Sequence, residues 1–563
     1  MEPLLTWPHL PIILFLAGAL LSVLFGERVS VRFRRALVLA IFLAVGSILL
    51  TMRPQLPLDV VFSDWVASLT LLGSLIYRVD AINFLFSLVL TVVLAALAWH
   101  LLSLTDQPQE TWRLTPALLF VCAGTFSTLF SGNLITLMFS LALLTGAVFA
   151  FIAFGQASGQ SGTYLLISWG LGIILVAWAT WSIGRGDGGR LATIPYSPTA
   201  VRAMFLLAWI SLAALPMHLW LVAFWERPSP ANATNGRIDA IPPLLHSISP
   251  LLGLYILMRL TASQALLPEQ TLWIGAGAVS LLIASELAWS QTDRLRAISY
   301  ITVAQGGAVI LNVALSAPLA GNSVLHWFLF LPCAVLVLFL VPNRAPGGDT
   351  AWLDWLFMAV TGLAGACLLG LPPTAGFIAW SNVYEAIWAT DLVEPAFLFV
   401  PVFIAASLIA ATFFRVWLSP LRDALPRQGW IRGAVGLLLL VPALAAGLLP
   451  VDVLRNLTGG HGADLGLWAY SPVEPRTWAA VLLSACLGYV WSTWPPARTA
   501  TRQSVWLFFA RLWDMAWLYR GIEKAIAWGD DMLRVLVDVL CGEHWLLWAF
   551  LSVLLFVWLY LGR

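Results

Sequence analysis

Few side chains in this 563-residue chain could move a proton or hold an ion, and several of them stand inside long apolar stretches. His218, His246 and His326 carry imidazoles, which take up and release protons near neutral pH. Their plainer role would be to hydrogen-bond carbonyls left exposed where a helix is interrupted. Glu286, in LLIASELAWS, puts a carboxyl in mid-segment, where it serves a path or stays protonated and hydrogen-bonded. Asp293 follows seven residues later, so one continuous helix would carry both carboxyls on roughly one face. Glu385 stands near a helix end, within reach of lipid headgroups. The five cysteines, Cys122, Cys333, Cys367, Cys486 and Cys541, lie far apart without a CxxC pair, so they encode neither a metal site nor a disulfide framework. GRGDGG at 184–189 follows no strand and is not a nucleotide loop. The chemistry this chain could perform is therefore proton or ion movement, with no cofactor and no metal of its own.

Composition dictates where such chemistry would sit. With 60% hydrophobic and 10% charged residues, the chain is too apolar for a soluble domain, and a net charge of +1 excludes a nucleic-acid binder. It reads as an all-α polytopic membrane protein. Stretches able to cross about 30 Å of hydrocarbon fall at 4–25, 36–52, 81–104, 115–131, 133–154, 163–184, 200–223, 243–262, 270–290, 297–319, 323–341, 354–388, 395–418, 433–450, 477–494 and 543–561. The first lacks a basic n-region and a cleavage site and is expected to be retained. With sixteen spans, the odd-numbered loops hold 20 of the 29 Lys and Arg residues and the even-numbered loops seven. The positive-inside rule then places both termini on the non-cytoplasmic side, as expected for a bacterial inner-membrane protein.

Two spans are interrupted. The seventh contains Pro216 in SLAALPMHLWL and the twelfth contains Pro372 and Pro373 in LLGLPPTAGF. Proline removes a backbone donor and clashes with the preceding turn. Breaks at membrane depth survive only where protein or water re-satisfies the freed groups, and they often mark ion sites. Two breaks five spans apart predict an inverted repeat of spans 4–8 against 9–13. The expected organisation is 1–112, 113–262 (first repeat), 263–420 (second repeat), 421–500 and 501–563. In the last segment, Arg520, Glu523, Lys524, Asp531, Arg534 and Asp538 share a helical face, while Trp506, Trp513, Trp517, Ile522 and Trp528 turn elsewhere. It is expected to lie flat at the cytoplasmic interface before a final anchor.

Five motifs resemble the antiporter-like subunits of respiratory complex I, membrane-bound hydrogenases and Mrp-type sodium/proton antiporters. They are YRVDAINFLF (77–86), PMHLWL (216–221), HSISPLLGLYILMR (246–259), QTDRLRAISYITVAQGG (291–307) and GLPPTAGF (370–377), in family order. The resemblance implies that fold, and a polar axis along the membrane midplane built on a fifth-helix glutamate, a seventh-helix lysine and further lysines and histidines. At the matching positions this chain carries Ala142, Ser211, Phe330, Ala334 and Trp380, and Asn133 replaces an aspartate. Exchange of Lys for Arg, natural in a chain with one lysine and 28 arginines, would have left arginine there. The resemblance thus implies a membrane subunit whose proton relay is broken or rewired, with 501–540 similar to a short lateral helix that clamps neighbouring subunits. Three functions follow in order of preference: a subunit of an NADH:quinone oxidoreductase-like or hydrogenase-like complex; the membrane half of an inorganic-carbon uptake system with a cytoplasmic zinc protein resembling carbonic anhydrase; and a cation/proton antiporter using Glu286 and the histidines.

Overall fold

The computed structural model describes residues 7–62, 74–104, 108–154, 159–183, 191, 197–223, 241–262, 267–291, 293–316, 321–341, 351–391, 393–418, 429–448, 474–493, 517–525, 527–528 and 531. The chain divides into two units, Met1–Gln503 and Ser504–Arg563. The first is built almost wholly of helices, in keeping with the long apolar runs. They are α1 (Leu10–Phe25), α2 (Val31–Met52), α3 (Ala81–Leu104), α4 (Pro108–Leu129), α5 (Leu134–Phe154), α6 (Gly159–Ile183), α7 (Pro198–Ser211), α8 (Leu219–Val222) and α9 (Ile241–Ala262). There follow α10 (Gln270–Ser290), α11 (Arg294–Ser316), α12 (Gly321–Leu340), α13 (Ala351–Leu368), α14 (Ala375–Ala389), α15 (Pro395–Leu418), α16 (Gly429–Leu448) and α17 (Pro475–Ser492). Nine of the described helices are long and apolar enough to cross a membrane. The predicted seventh span is the pair α7 and α8, and the twelfth is α13 and α14, each split at its prolines. The predicted final span, 543–561, lies outside the described residues.

Burial sorts the helices. α9 is buried from Pro243 to Thr261 and α11 from Ala297 to Leu315, which explains why neither shows a polar stripe: neighbours cover them on all sides. By contrast α6 and α10 leave large apolar side chains such as Trp181, Ile174 and Leu272 exposed, as lipid-facing helices do. Glycines let the inner helices approach closely. A Cβ on Gly277 would stand 2.7 Å from the Leu311 nitrogen, and one on Gly307 2.5 Å from that of Leu281, so α10 and α11 touch backbone to backbone.

The one sheet among the described residues is a hairpin, β1 (Leu58–Phe62) against β2 (Leu75–Val79), with Val60 opposite Tyr77. β2 also covers the turn between α4 and α5: Gly132 donates to the Ile76 carbonyl (2.7 Å) and Arg78 to that of Phe130 (2.8 Å).

Polar contacts between chain ends join loops of like parity. Arg35 donates to the Leu102 carbonyl (2.8 Å), and Arg415 to those of Trp289 (2.5 Å) and Gln291 (2.8 Å). On the even-loop side, Asn133 donates to the Ser74 carbonyl (2.7 Å) and Arg202 pairs with Glu269.

In the second unit residues 517–525 are helical. Tyr519 is buried, while Arg520, Lys524 and Asp531 are exposed together with Trp517 and Trp528. Trp506, Trp513, Arg534 and Asp538 lie outside the described residues.

Candidate functional site

The two helix breaks are closed in the same way. After α7, Leu212 donates to the Ala208 carbonyl (2.8 Å), Ala213 to Ile210 (3.0 Å) and Ala214 to Trp209 (3.2 Å). After α13, Leu369 donates to Gly365 (2.8 Å), Gly370 to Cys367 (3.2 Å) and Leu371 to Ala366 (2.8 Å). Ala213 (φ 53°) and Gly370 (φ 69°) occupy the left-handed region that the six-to-one bond requires. A cis proline, Pro216 or Pro373, follows three residues later in each.

Side chains take up the remaining backbone groups. At the first break the Trp209 indole donates to the carbonyls of Ala214 (3.2 Å) and Leu215 (3.1 Å), Ser249 to that of Ser211 (2.6 Å), and Ser280 accepts from the Leu215 nitrogen (2.9 Å). At the second, Gln305 (3.0 Å) and Trp380 (3.2 Å) both donate to the Leu368 carbonyl. A polar atom buried without a partner costs about 1–3 kcal/mol, so these donors stabilise the breaks without any charge. Trp209→Phe takes the donor from the buried Leu215 carbonyl and leaves that of Ala214 with the Met217 amide alone (2.9 Å). It is expected to cost about 1–2 kcal/mol, read as a lowered Tm in detergent.

Two of the three histidines converge on α11. His246 lies with Nε2 2.8 Å from the Ser299 hydroxyl, which itself donates to the Leu295 carbonyl (3.0 Å), so His246 is the donor of that pair. His218 follows the first break and is fully buried, its ring 5.9 Å from that of Tyr300. Its Nδ1 stands 3.3 Å from the Pro216 carbonyl. This is the structural role considered for it, yet Nε2 is buried with no hydrogen-bond partner among the described residues. His326 stands half-buried on α12.

Glu286 is half-buried on α10. The expectation that it shares a helix face with Asp293 is corrected. α10 ends at Ser290, Gln291 is extended, and Asp293 instead starts α11, accepting from the Leu295 nitrogen (2.9 Å). The short polar run QTD ends α10 and turns the chain into α11.

The substituted relay positions are uncharged and mostly packed. Ala142 is exposed on α5, facing out of the bundle. The Ser211 hydroxyl bonds its own helix at Leu207 (2.9 Å). Phe330 and Ala334 are fully buried, and Trp327 lies 5.1 Å from Phe330 and 5.7 Å from Trp380, ring to ring. Phe330, Ala334 and Trp380 are thus enclosed among aromatic and aliphatic side chains.

A charged cluster joins the end of α9 to the start of α3. Arg259, at the end of α9, donates from Nη1 and Nη2 to the two carboxylate oxygens of Asp80 (2.6 and 3.0 Å), from Nη2 to the Asn83 side-chain oxygen, and from Nε to the Tyr255 hydroxyl (3.2 Å). Asp80 accepts the amides of Ile82 and Asn83 (3.1 Å each) at the start of α3, and Arg78 of β2 lies 3.5 Å from it. Both residues belong to motifs quoted above, but their pairing was not foreseen. The signal was available, because lone opposite charges at the ends of apolar segments need a partner. Burial alone would push the Asp80 carboxyl up, but the Arg259 guanidinium, the hydrogen bonds and Arg78 hold it below its ordinary value. A depressed carboxyl contributes stability that is full above its unfolded pKa and lost as pH falls through the lower folded one. Tm is thus expected to be insensitive to this pair at neutral pH and to fall only below about pH 4, less so in Asp80→Asn.

The broken helices, the buried stretches of α9 and α11 and the hairpin over the α4–α5 turn define an α-helical bundle in which nine described helices are long and apolar enough to cross a membrane. No protein-family model matches the chain. NADH-quinone oxidoreductase subunit N of Heliobacterium modesticaldum is 24% identical over 307 residues, 50% of this chain and 63% of that protein. The matched stretches cover about half to two thirds of such relatives' own length. Among solved structures, the Mrp complex from Dietzia sp. superposes with a TM-score of 0.73 at 18% identity, covering 99% of this chain and 63% of that one. One chain of respiratory complex I from Thermus thermophilus gives 0.57 at 19% identity, covering 79% of this chain and 99% of that one. The resemblance read from the five motifs is borne out: the chain is related to antiporter-like subunits and has their fold.

Proposed function

We propose that the chain is an antiporter-like membrane subunit of a multisubunit complex of the NADH:quinone oxidoreductase or hydrogenase kind, and that its standard proton relay is disabled. The observation that carries this is the uncharged set Ala142, Ser211, Phe330, Ala334 and Trp380 at the positions matched to the relay, with Trp380 bonded into the second break. The matched hydrogen bonding of the two breaks supports an inverted repeat of 113–262 and 263–420. The like-parity grouping of loop contacts supports a fixed two-sided topology, which the basic residues orient with both termini non-cytoplasmic in a bacterial inner membrane. Partners are then other membrane subunits, met through the bundle faces and through 501–540. His218, His246, His326, Glu286 and Asp293 remain the groups through which a rewired path would run.

Mild-detergent purification from the native membrane with mass spectrometry tests this reading. Co-purifying quinone-site and iron-sulfur subunits are the expected result. A single large zinc-binding cytoplasmic partner would replace it with inorganic-carbon uptake, and recovery of the chain alone would refute both. Reconstituted in vesicles, the protein is expected to pass protons no faster than empty liposomes. A flux abolished by Glu286→Gln would show a rewired path instead.

A further inference from the structure

Glu286 stands on the outward face of its helix. Between Ile274 and Ala288, the residues of α10 that neighbours leave unburied are Gly275, Ala276, Val279, Leu282, Ile283 and Glu286. They fall within an arc of about 120°, with Glu286 inside it. Gly277 and Leu281 lie on the opposite side, against the backbone of α11. Val279 is 49% exposed, and a Cβ on Gly275 would meet nothing within 4 Å. Glu286 itself makes no hydrogen bond and no ion pair among the described residues. Arg415, which α15 brings to this end of α10, gives its guanidinium to the carbonyls of Trp289 (2.5 Å) and Gln291 (2.8 Å).

A carboxyl there does not suit a surface covered by lipid alone. The outward side chains of α6, among them Leu166, Ile174, Trp178 and Trp181, carry no charge. Glu286 lies four residues, about 6 Å, inside the end of α10 at Ser290. Helical side chains lean toward the N-terminus, so its carboxyl is carried away from the nearer membrane surface and its headgroups. Lipid tails offer no donor, and a carboxylate at such depth is paired with an opposite charge. Gly275 stands eleven residues earlier on the same face, about 16 Å along the axis, where the missing side chain lets a second backbone come close. A charge and a close-approach point at that separation fit an elongated occupant running beside α10.

We infer that the outward face of α10 is covered by a transmembrane helix of a neighbouring subunit, which approaches closely at Gly275 and presents a lysine or arginine to Glu286. The inference rests on the reading of the chain as part of a multisubunit membrane complex, and adds the face used and the charge its partner must bring.

Photo-crosslinking in the native membrane tests it, with benzoylphenylalanine in place of Val279 and mass spectrometry of the adduct. The expected product joins α10 to one membrane-spanning peptide that holds a lysine or arginine within its apolar run. Glu286→Lys should reduce the adduct several-fold, and exchanging the partner's basic residue for glutamate in that background should restore it. A partner peptide without a basic residue, or an adduct indifferent to Glu286→Lys, would overturn the inference. Adducts with lipid alone, from a chain that still co-purifies with other membrane subunits, would overturn it and leave the multisubunit reading standing. A chain that neither crosslinks nor co-purifies would sink both.

Discussion

Arg259→Ala is expected to lower the stability of the purified protein by about 3 kcal/mol, because breaking a buried pair leaves Asp80 with only the more distant Arg78 (3.5 Å) as a counter-charge. The Arg259 side chain is 4% exposed and that of Asp80 16%, and removing the guanidinium deprives Asp80, Asn83 and Tyr255 of hydrogen bonds at once. The pair also fastens the end of α9 to the start of α3, 179 residues earlier in the chain. The loss should therefore appear as a lower Tm and as early proteolysis of the hairpin segment. Arg259→Met combined with Asp80→Asn should recover part of the loss, since no lone charge then remains. A double variant no better than the single one would mean that hydrogen-bond geometry, and not charge, holds the pair.

The second large effect is steric. A Cβ on Gly376, in the first turn of α14, would stand 1.8 Å from the Cys367 carbonyl oxygen of α13. The atom in the way is backbone, so no rotamer change relieves the clash, and the two halves of the broken helix must separate. Overpacking of a tight core costs about 1–3 kcal/mol and occasionally more; Gly376→Ala is expected at about 3 kcal/mol or above. The control is Gly46→Ala, where nothing stands within 4 Å of the added carbon. It should leave Tm unchanged or slightly raised, since alanine favours a helix by about 1 kcal/mol over glycine. Equal behaviour of the two variants would refute the close approach.

Periodicity and length made most of the helices legible, and the prolines located both breaks, because those signals are local. What stayed hidden depends on the third dimension. Nothing in the neighbourhood of Trp209 or Trp380 says that an indole will serve carbonyls five or twelve residues away. The pairing of Asp80 with Arg259 was open to inference from charge isolation, but choosing that partner required the packing of α3 on α9. Asp293 is paired with Glu286 only if the seven-residue spacing is counted as two helical turns, and the helix that carries Glu286 ends at Ser290. Glu286 and the histidines were found by residue type alone. Only the coordinates show that His218 and His246 meet neighbouring residues of one helix while Asp293 serves as a cap.

The two breaks differ in how much they depend on the side chain that lines them. Ser211 bonds only its own helix through its hydroxyl, so replacing it by another small residue disturbs none of the side-chain bonds that close the first break. Trp380 serves the Leu368 carbonyl and packs against the Trp327 ring, so replacing it removes a donor and an aromatic contact together. The first break is thus tolerant of change at that position, while the second is mutationally brittle.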